Sequence, residues 1–129
     1  MKYIWDTNTV IYYLQQQFPP KGEKFIDNII LGNVPVISVI TEVELLCWKT
    51  TSEKDLQILR GFIEECRVLE LDTPVKYKTA EIRKHFKLKL PDAIIAATAT
   101  LYDLELITRN VKDFKKIEGL TIINPFELD

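Results

Sequence analysis

The sequence is poor in the residues that mark thiol redox, zinc or membrane chemistry. It holds two cysteines, Cys47 and Cys66, and one histidine, His85, in 129 residues. The cysteines form no CxxC pair and fit no zinc spacing. Cys47 falls in a helical apolar pattern and is expected to be a buried free thiol. That state suits a reducing cytoplasm, although two cysteines also permit a single bridge. His85 sits in a charged helical stretch, where a solvated ring is expected. The apolar runs VPVISVI and AIIAATATLY are too short to span a bilayer, and no signal-peptide pattern precedes the first strand-like segment. Neither sign of charge dominates. A net charge of −2 gives no general attraction to nucleic acid or anionic membrane. Binding RNA or DNA would need local basic patches or bound cations.

What is present is an ordinary soluble composition, 47% apolar and 28% charged, long enough for its own core without staples. No repeat, low-complexity tract or linker divides residues 1–129, which read as one domain. Short apolar or β-branched strands are expected at Lys2–Trp5, Pro35–Val39, Arg67–Leu71, Glu105–Thr108 and Leu120–Ile123. Helical spacing falls between them: Val10, Ile11 and Leu14; then Phe25, Ile26, Ile29 and Ile30; then Val43, Leu46 and Cys47. Leu56, Leu59, Phe62 and Ile63 continue the pattern, followed by the amphipathic Val75–Phe86 and an apolar helix from Pro91. This alternation predicts a three-layer α/β/α domain around a central, mostly parallel sheet of four to five strands. In such sheets ligands bind outside the carboxyl ends of the strands, where strand order reverses.

Acids recur at those ends. Asp6 closes the first strand, where an Asp also makes a good helix cap. Glu44 lies three residues after Thr41, the spacing of a capping box. Glu42 is its neighbour but projects about 200° away around a helix. Asp92 follows Pro91, and an acid in a first turn suits the helix dipole. Its apolar surroundings, AIIAA, place that acid near the interior. Asn110 reads alone as a turn former and Asp113 as a surface acid. Taken together, three strand-to-helix junctions bring carboxylates to one sheet edge. Two carboxylates about 4 Å apart repel by roughly 4 kcal/mol at an effective dielectric near 20. Such a cluster calls for a proton or a metal ion. Oxygen ligands without nearby His or Cys favour Mg²⁺ or Mn²⁺.

The ordered set Asp6-Thr7-Asn8, SVITEVELL around Glu44, LPDAIIAATA around Asp92 and LITRNVKDF resembles the PIN-domain ribonucleases. The likeness is greatest to the small VapC-type toxins of toxin–antitoxin pairs, and it covers nearly the whole chain. The resemblance implies one or two Mg²⁺ or Mn²⁺ ions held among Asp6, Glu44 and Asp92, and hydrolysis of RNA to 5′-phosphate and 3′-hydroxyl ends. Many members carry Asp where this chain has Asn110, so the fourth site residue is either Asn110, as a ligand without charge, or Asp113. Thr7, Asn8 and Thr108 match polar positions that orient acids or contact phosphate. Arg109 and Lys89 flank the proposed site and are the basic residues expected to seat substrate. The resemblance also implies a cognate antitoxin that covers the acids, and a homodimer; Trp48 and Tyr102 are candidates either for a contact surface or for the core. Two other readings stay open. One is a PIN-like domain that binds RNA or protein without cutting. The other is a haloacid-dehalogenase-like phosphatase, which would want an Asp where Asn8 stands.

Overall fold

The computed structural model describes residues 1–50 and 52–128. In chain order these form β1 (Tyr3–Trp5), α1 (Thr7–Leu14), α2 (Pro20–Gly32), β2 (Val36–Ser38), α3 (Val39–Leu46) and α4 (Glu53–Glu65). Next come β3 (Arg67–Leu69), α5 (Thr73–His85), α6 (Leu90–Leu101), β4 (Glu105–Ile107), α7 (Val111–Phe114) and β5 (Ile122–Ile123). All five expected strands are present, each shorter than expected. The fourth acidic segment adds the one-turn α7, which the sequence pattern did not reveal.

Every ladder is parallel. Ile4 faces Leu106 and Trp5 faces Ile107 across β1 and β4, while β5 extends that sheet beyond β4 and β2 pairs with β3. The expected single sheet is divided at one point. Ladder bonds group the strands as β1-β4-β5 and β2-β3, with β1 and β2 in contact but not paired. A three-residue strand presents so few N–H and C=O groups on each edge that proximity need not become a ladder.

Successive residues of a strand point to opposite faces, and the apolar pairs on these strands exploit that. Ile4, Val36 and Leu106 enter one core, with Val75 and Ile82 of α5, the alanines and isoleucines of α6, and Phe114 of α7. Trp5, Ile37 and Ile107 enter the other, with Val10, Ile26, Ile29, Leu45, Leu59 and Phe62. The strands are therefore sandwiched, as a parallel sheet with helices on both faces requires. Burying one such large apolar side chain contributes about 1.5–3 kcal/mol. Residues Ala93–Ala99 of α6 are buried without a break. Thr98 is accommodated there by donating its hydroxyl to Ile94 O at 2.8 Å, and the small alanines let α6 lie closely along α5.

Two local expectations are corrected. Cys47 is exposed, and both cysteines are free. It terminates α3 on the face carrying Val43 and Leu46, which are 49% and 61% exposed; the helix buries Thr41 and Leu45 instead. Cys66 is half-buried beside the second core, where burial pushes its thiol up to about 12. His85 is exposed as expected. No helix among the described residues is long and apolar enough to cross a membrane.

The C-terminal segment is held by close backbone packing. A Cβ on Gly22, in the first turns of α2, would stand 2.1 Å from the carbonyl oxygen of Pro125. Next to it, Phe126 N–H donates to Asn124 Oδ1 at 2.9 Å. Gly22→Ala must push backbone away from backbone. It should lower stability by about 1–3 kcal/mol in urea unfolding, with hydrogen exchange accelerated at residues 122–127. Unchanged stability and exchange would show that this packing does not constrain the segment.

Candidate active site

Along the chain β1 leads to β2 and β3 on one side, then the chain returns to β4 and β5 on the other side of β1. Strand order therefore reverses between β1 and β4, where an open α/β sheet leaves a crevice at its carboxyl end. Asp6 stands at that point and is only 6% exposed. Its two oxygens do separate jobs. Oδ1 accepts from Thr9 N–H at 2.9 Å and caps α1, so the capping role seen in the sequence is real. Oδ2 accepts from Thr108 Oγ1 at 2.5 Å, across the β1–β4 boundary. Thr9 ties the same elements together by donating its hydroxyl to Ile107 O at 2.8 Å.

Thr108 is fully buried and also accepts from Asn110 N–H at 3.0 Å. The Asn110 amide then donates to Asp113 Oδ2 at 3.1 Å. A string of hydrogen bonds thus runs from Asp6 to Asp113, both beyond strand ends. Asp113 is half-buried on α7, not the free surface acid its isolated sequence suggested. Asn110 is its orienting neighbour.

Glu44 reaches the same edge from α3. The capping-box reading fails here, because Ser38 caps α3 and Thr41 is buried within it. Glu44 Oε1 instead accepts from Thr7 Oγ1 at 2.6 Å, and Thr7 Oγ1 lies 3.1 Å from Thr41 Oγ1. Thr7 therefore links α1 to the acid of α3. Glu42, in the first turn of α3, makes none of these contacts.

Asp92 occupies the first turn of α6. Its carboxyl is held above the usual aspartate range, first by burial, then by repulsion from Asp6, Glu44 and Asp113, with Lys89 opposing. Asp6 is raised too, chiefly by burial; hydrogen bonds from Thr108 and Thr9 oppose this, and Glu44 adds to it. Asp6, Glu44 and Asp113 thus all lie near enough to Asp92 to act on its charge. Among the described residues, however, no three acidic, His or Cys side chains stand close enough to cage an ion by themselves. The donor set still suits a hydrated hard cation, since Mg²⁺ normally keeps several waters and takes one or two carboxylates.

The remaining expected residues divide between rim and surface. Asn8, Tyr12, Arg109 and Asn110 surround Asp6 in a cleft of about 210 Å³. Lys89 is exposed at the start of α6. Trp48 packs on the second core, and Tyr102 donates to Asp72 well away from the acids. Sequence reasoning missed Tyr12 and Phe126. Arg109 lies over both rings, 5.6 Å from the Tyr12 centroid and 4.0 Å from that of Phe126. A larger hollow of about 500 Å³, lined by Tyr13, Ile30 and Phe62 among others, contains none of the four clustered acids; chemistry, not size, selects the smaller cleft.

Comparison with known proteins places the chain in a family. The family described as PIN domain matches residues 3–120. The chain belongs to the PIN-domain family. Among curated PIN relatives, the tRNA(fMet)-specific endonuclease VapC of Salmonella typhimurium is 32% identical over 130 residues, covering 95% of this chain and 96% of the relative. Ribonuclease VapC2 of Methanocaldococcus jannaschii is 28% identical over 139 residues, covering 95% and 93%. Among solved structures, DNA-bound VapBC from Salmonella typhimurium superposes with a TM-score of 0.81 at 28% identity, covering 97% of this chain and 98% of that one. A toxin–antitoxin complex from Klebsiella pneumoniae gives 0.73 at 32% identity, covering 98% and 100%. The PIN fold matches the expected three-layer α/β/α architecture, and membership removes the dehalogenase-like phosphatase alternative.

The raised carboxyl of Asp92 carries a signed consequence. The folded chain binds that proton more tightly than the unfolded chain. The charged group therefore costs stability above about pH 4, increasingly so as pH rises through the folded value. In EDTA, Asp92→Asn should melt higher than the wild type at pH 7.5, with the gap narrowing as pH falls toward 4. Calorimetry showing a gap independent of pH would contradict the assignment.

Proposed function

We propose that this PIN domain is a divalent-metal-dependent endoribonuclease and the toxin of a toxin–antitoxin pair. The observation that carries the reading is the approach of Glu44, Asp92 and Asp113 to Asp6 near the β1–β4 switch point, with Asp6 buried and oriented by two hydrogen bonds. A protein keeps such repulsion where it serves chemistry.

In this reading Asp6, Glu44 and Asp92 would hold one or two Mg²⁺ or Mn²⁺ ions, partly through intervening water. Such an ion supplies Lewis acidity toward the phosphodiester and lowers the pKa of nearby water. The protein's own part is orientation. Thr108 and Thr9 fix both oxygens of Asp6, and Thr7 fixes Glu44. Asp113, steered by Asn110, is the carboxylate we assign to orienting the attacking water. Asn110 keeps its Oδ1 for a ligand or water. The geometry favours Asp113 as the fourth catalytic residue, which weakens the non-cleaving reading suggested by an amide at position 110. Asn8, Arg109 and Lys89 flank the acids as phosphate contacts, and the products carry 5′-phosphate and 3′-hydroxyl ends.

An RNA substrate is supported by the relatives, two of which are named as tRNA(fMet)-specific endonucleases; tRNA is the first substrate class to test. An antitoxin partner is supported by the toxin–antitoxin complexes of similar fold. Exposed Val43, Leu46 and Leu90, on the helices that carry Glu44 and Asp92, offer apolar surface for it. Homodimerisation and a cytoplasmic location belong to the same reading.

Purified protein with Mn²⁺ should cleave bulk tRNA and leave 5′-phosphate ends, and EDTA should abolish cutting. Asp6→Asn and Asp92→Asn should each lose about a thousandfold in rate, the equivalent of roughly 4 kcal/mol of transition-state stabilisation. Mn²⁺ should raise the melting temperature of the wild type but not of Asp92→Asn. Metal-independent cutting, or full activity in either variant, would overturn the proposal.

A further inference from the structure

Arg109 neighbours Asp6 in the cleft yet pairs with no carboxylate among the described residues; the ion pairs found there are Lys2–Glu105 and Lys78–Glu81. An exposed arginine beside an acid cluster is drawn inward by charge, where it would neutralise the acids and block an ion. Here its guanidinium lies 4.0 Å over the face of Phe126 instead. Tyr12 packs edge-on against Phe126, with centroids 4.9 Å apart and planes at 70°. Phe18 supports the pair from 5.5 Å. The Phe126 ring reaches this place because Pro125 is seated on Gly22 and the Asn124 side chain turns the backbone. One face of the guanidinium is thus occupied by an aromatic ring, and its N–H edge is left for a ligand.

We propose that Phe126 and Tyr12 are positioning residues that hold Arg109 as a fixed fork for a backbone phosphate of the RNA next to the scissile bond. The C-terminal segment thereby completes the substrate face. This rests on the ribonuclease reading. The chemistry favours a phosphate because a planar guanidinium presents paired N–H groups that match two phosphate oxygens. Asn8 and Asn110 add polar groups to the same cleft. Cation–π stacking keeps the charge available without discharging it on Asp6.

The test is steady-state cleavage of a single-stranded oligoribonucleotide with Mn²⁺ at several salt concentrations. Phe126→Leu keeps an apolar side chain but removes the ring. It should raise KM about two- to fivefold, the usual worth of a cation–π contact, with kcat nearly unchanged. It should also lower the salt dependence of kcat/KM by about one phosphate contact, as Arg109→Ala does. Phe126→Trp should restore both, and adding Phe126→Leu to Arg109→Ala should change nothing further. Tyr12→Leu should act in the same direction and serves if Phe126→Leu does not fold. Wild-type KM and salt slope in folded Phe126→Leu would overturn the proposal. So would a raised KM with an unchanged slope, which would mean that Arg109 stacks on a base. If the wild type cuts no RNA, the ribonuclease reading fails by itself. Fluorescence anisotropy with the same labelled oligonucleotide then decides this proposal: parallel weakening in the Phe126 and Arg109 variants supports it, and unchanged binding overturns it.

Discussion

The structure depends on a pair of adjacent apolar side chains in each of its three inner strands. Ile4–Trp5, Val36–Ile37 and Leu106–Ile107 each send one residue into either core. Because the period of a strand is two, such a dipeptide suffices to bind helices on both faces. The strands can therefore be three residues long and still be fully enclosed. That shortness matters for the site. Chain leaves the sheet immediately after its two anchoring residues, so Asp6 and Thr108 follow Trp5 and Ile107 directly and inherit their rigidity.

Enclosure also makes the acids costly. Asp6 is buried in the same layer that supplies the cores, and its ionisation is opposed by that burial more than by neighbouring charge. For Asp92 burial again comes first, with three acids adding to it. The polar network answers only part of this opposition. Thr7, Thr9 and Thr108 donate hydroxyl or backbone N–H groups to the carboxylates, but among the described residues none of Asp6, Glu44, Asp92 and Asp113 has an ion-pair partner. Stability is given up to keep these carboxylates together without a countercharge, a trade seen at many active sites.

Much of this was legible in the sequence, for identifiable reasons. Strand positions and the burial of α6 follow from apolar runs too dense for any surface. Asp6 and Asp92 stood out because of what precedes or follows them. Glu44 was harder, since Thr41-x-x-Glu44 has the spacing of a cap; only the fold reveals that Ser38 has taken that role and that Thr41 faces α1. Cys47 misled because α3 is short and its apolar stripe points outward. Tyr12 and Phe126 carried no signal, being far apart in sequence and brought together by the return of the chain along β5.

The bond between Thr108 and Asp6 has a consequence for strand alignment. Continuing the pairing of Trp5 with Ile107 sets Asp6 opposite Thr108. Sliding β4 by one residue in the direction that sets Ile107 opposite Asp6 would bring an isoleucine beside the buried carboxylate and send the hydroxyl elsewhere, while exchanging the faces of every apolar side chain on that strand. Chains misaligned that way would thus be penalised twice, once by hydrocarbon and once by an abandoned anion. The chemistry of the crevice doubles as a proofreader of the sheet.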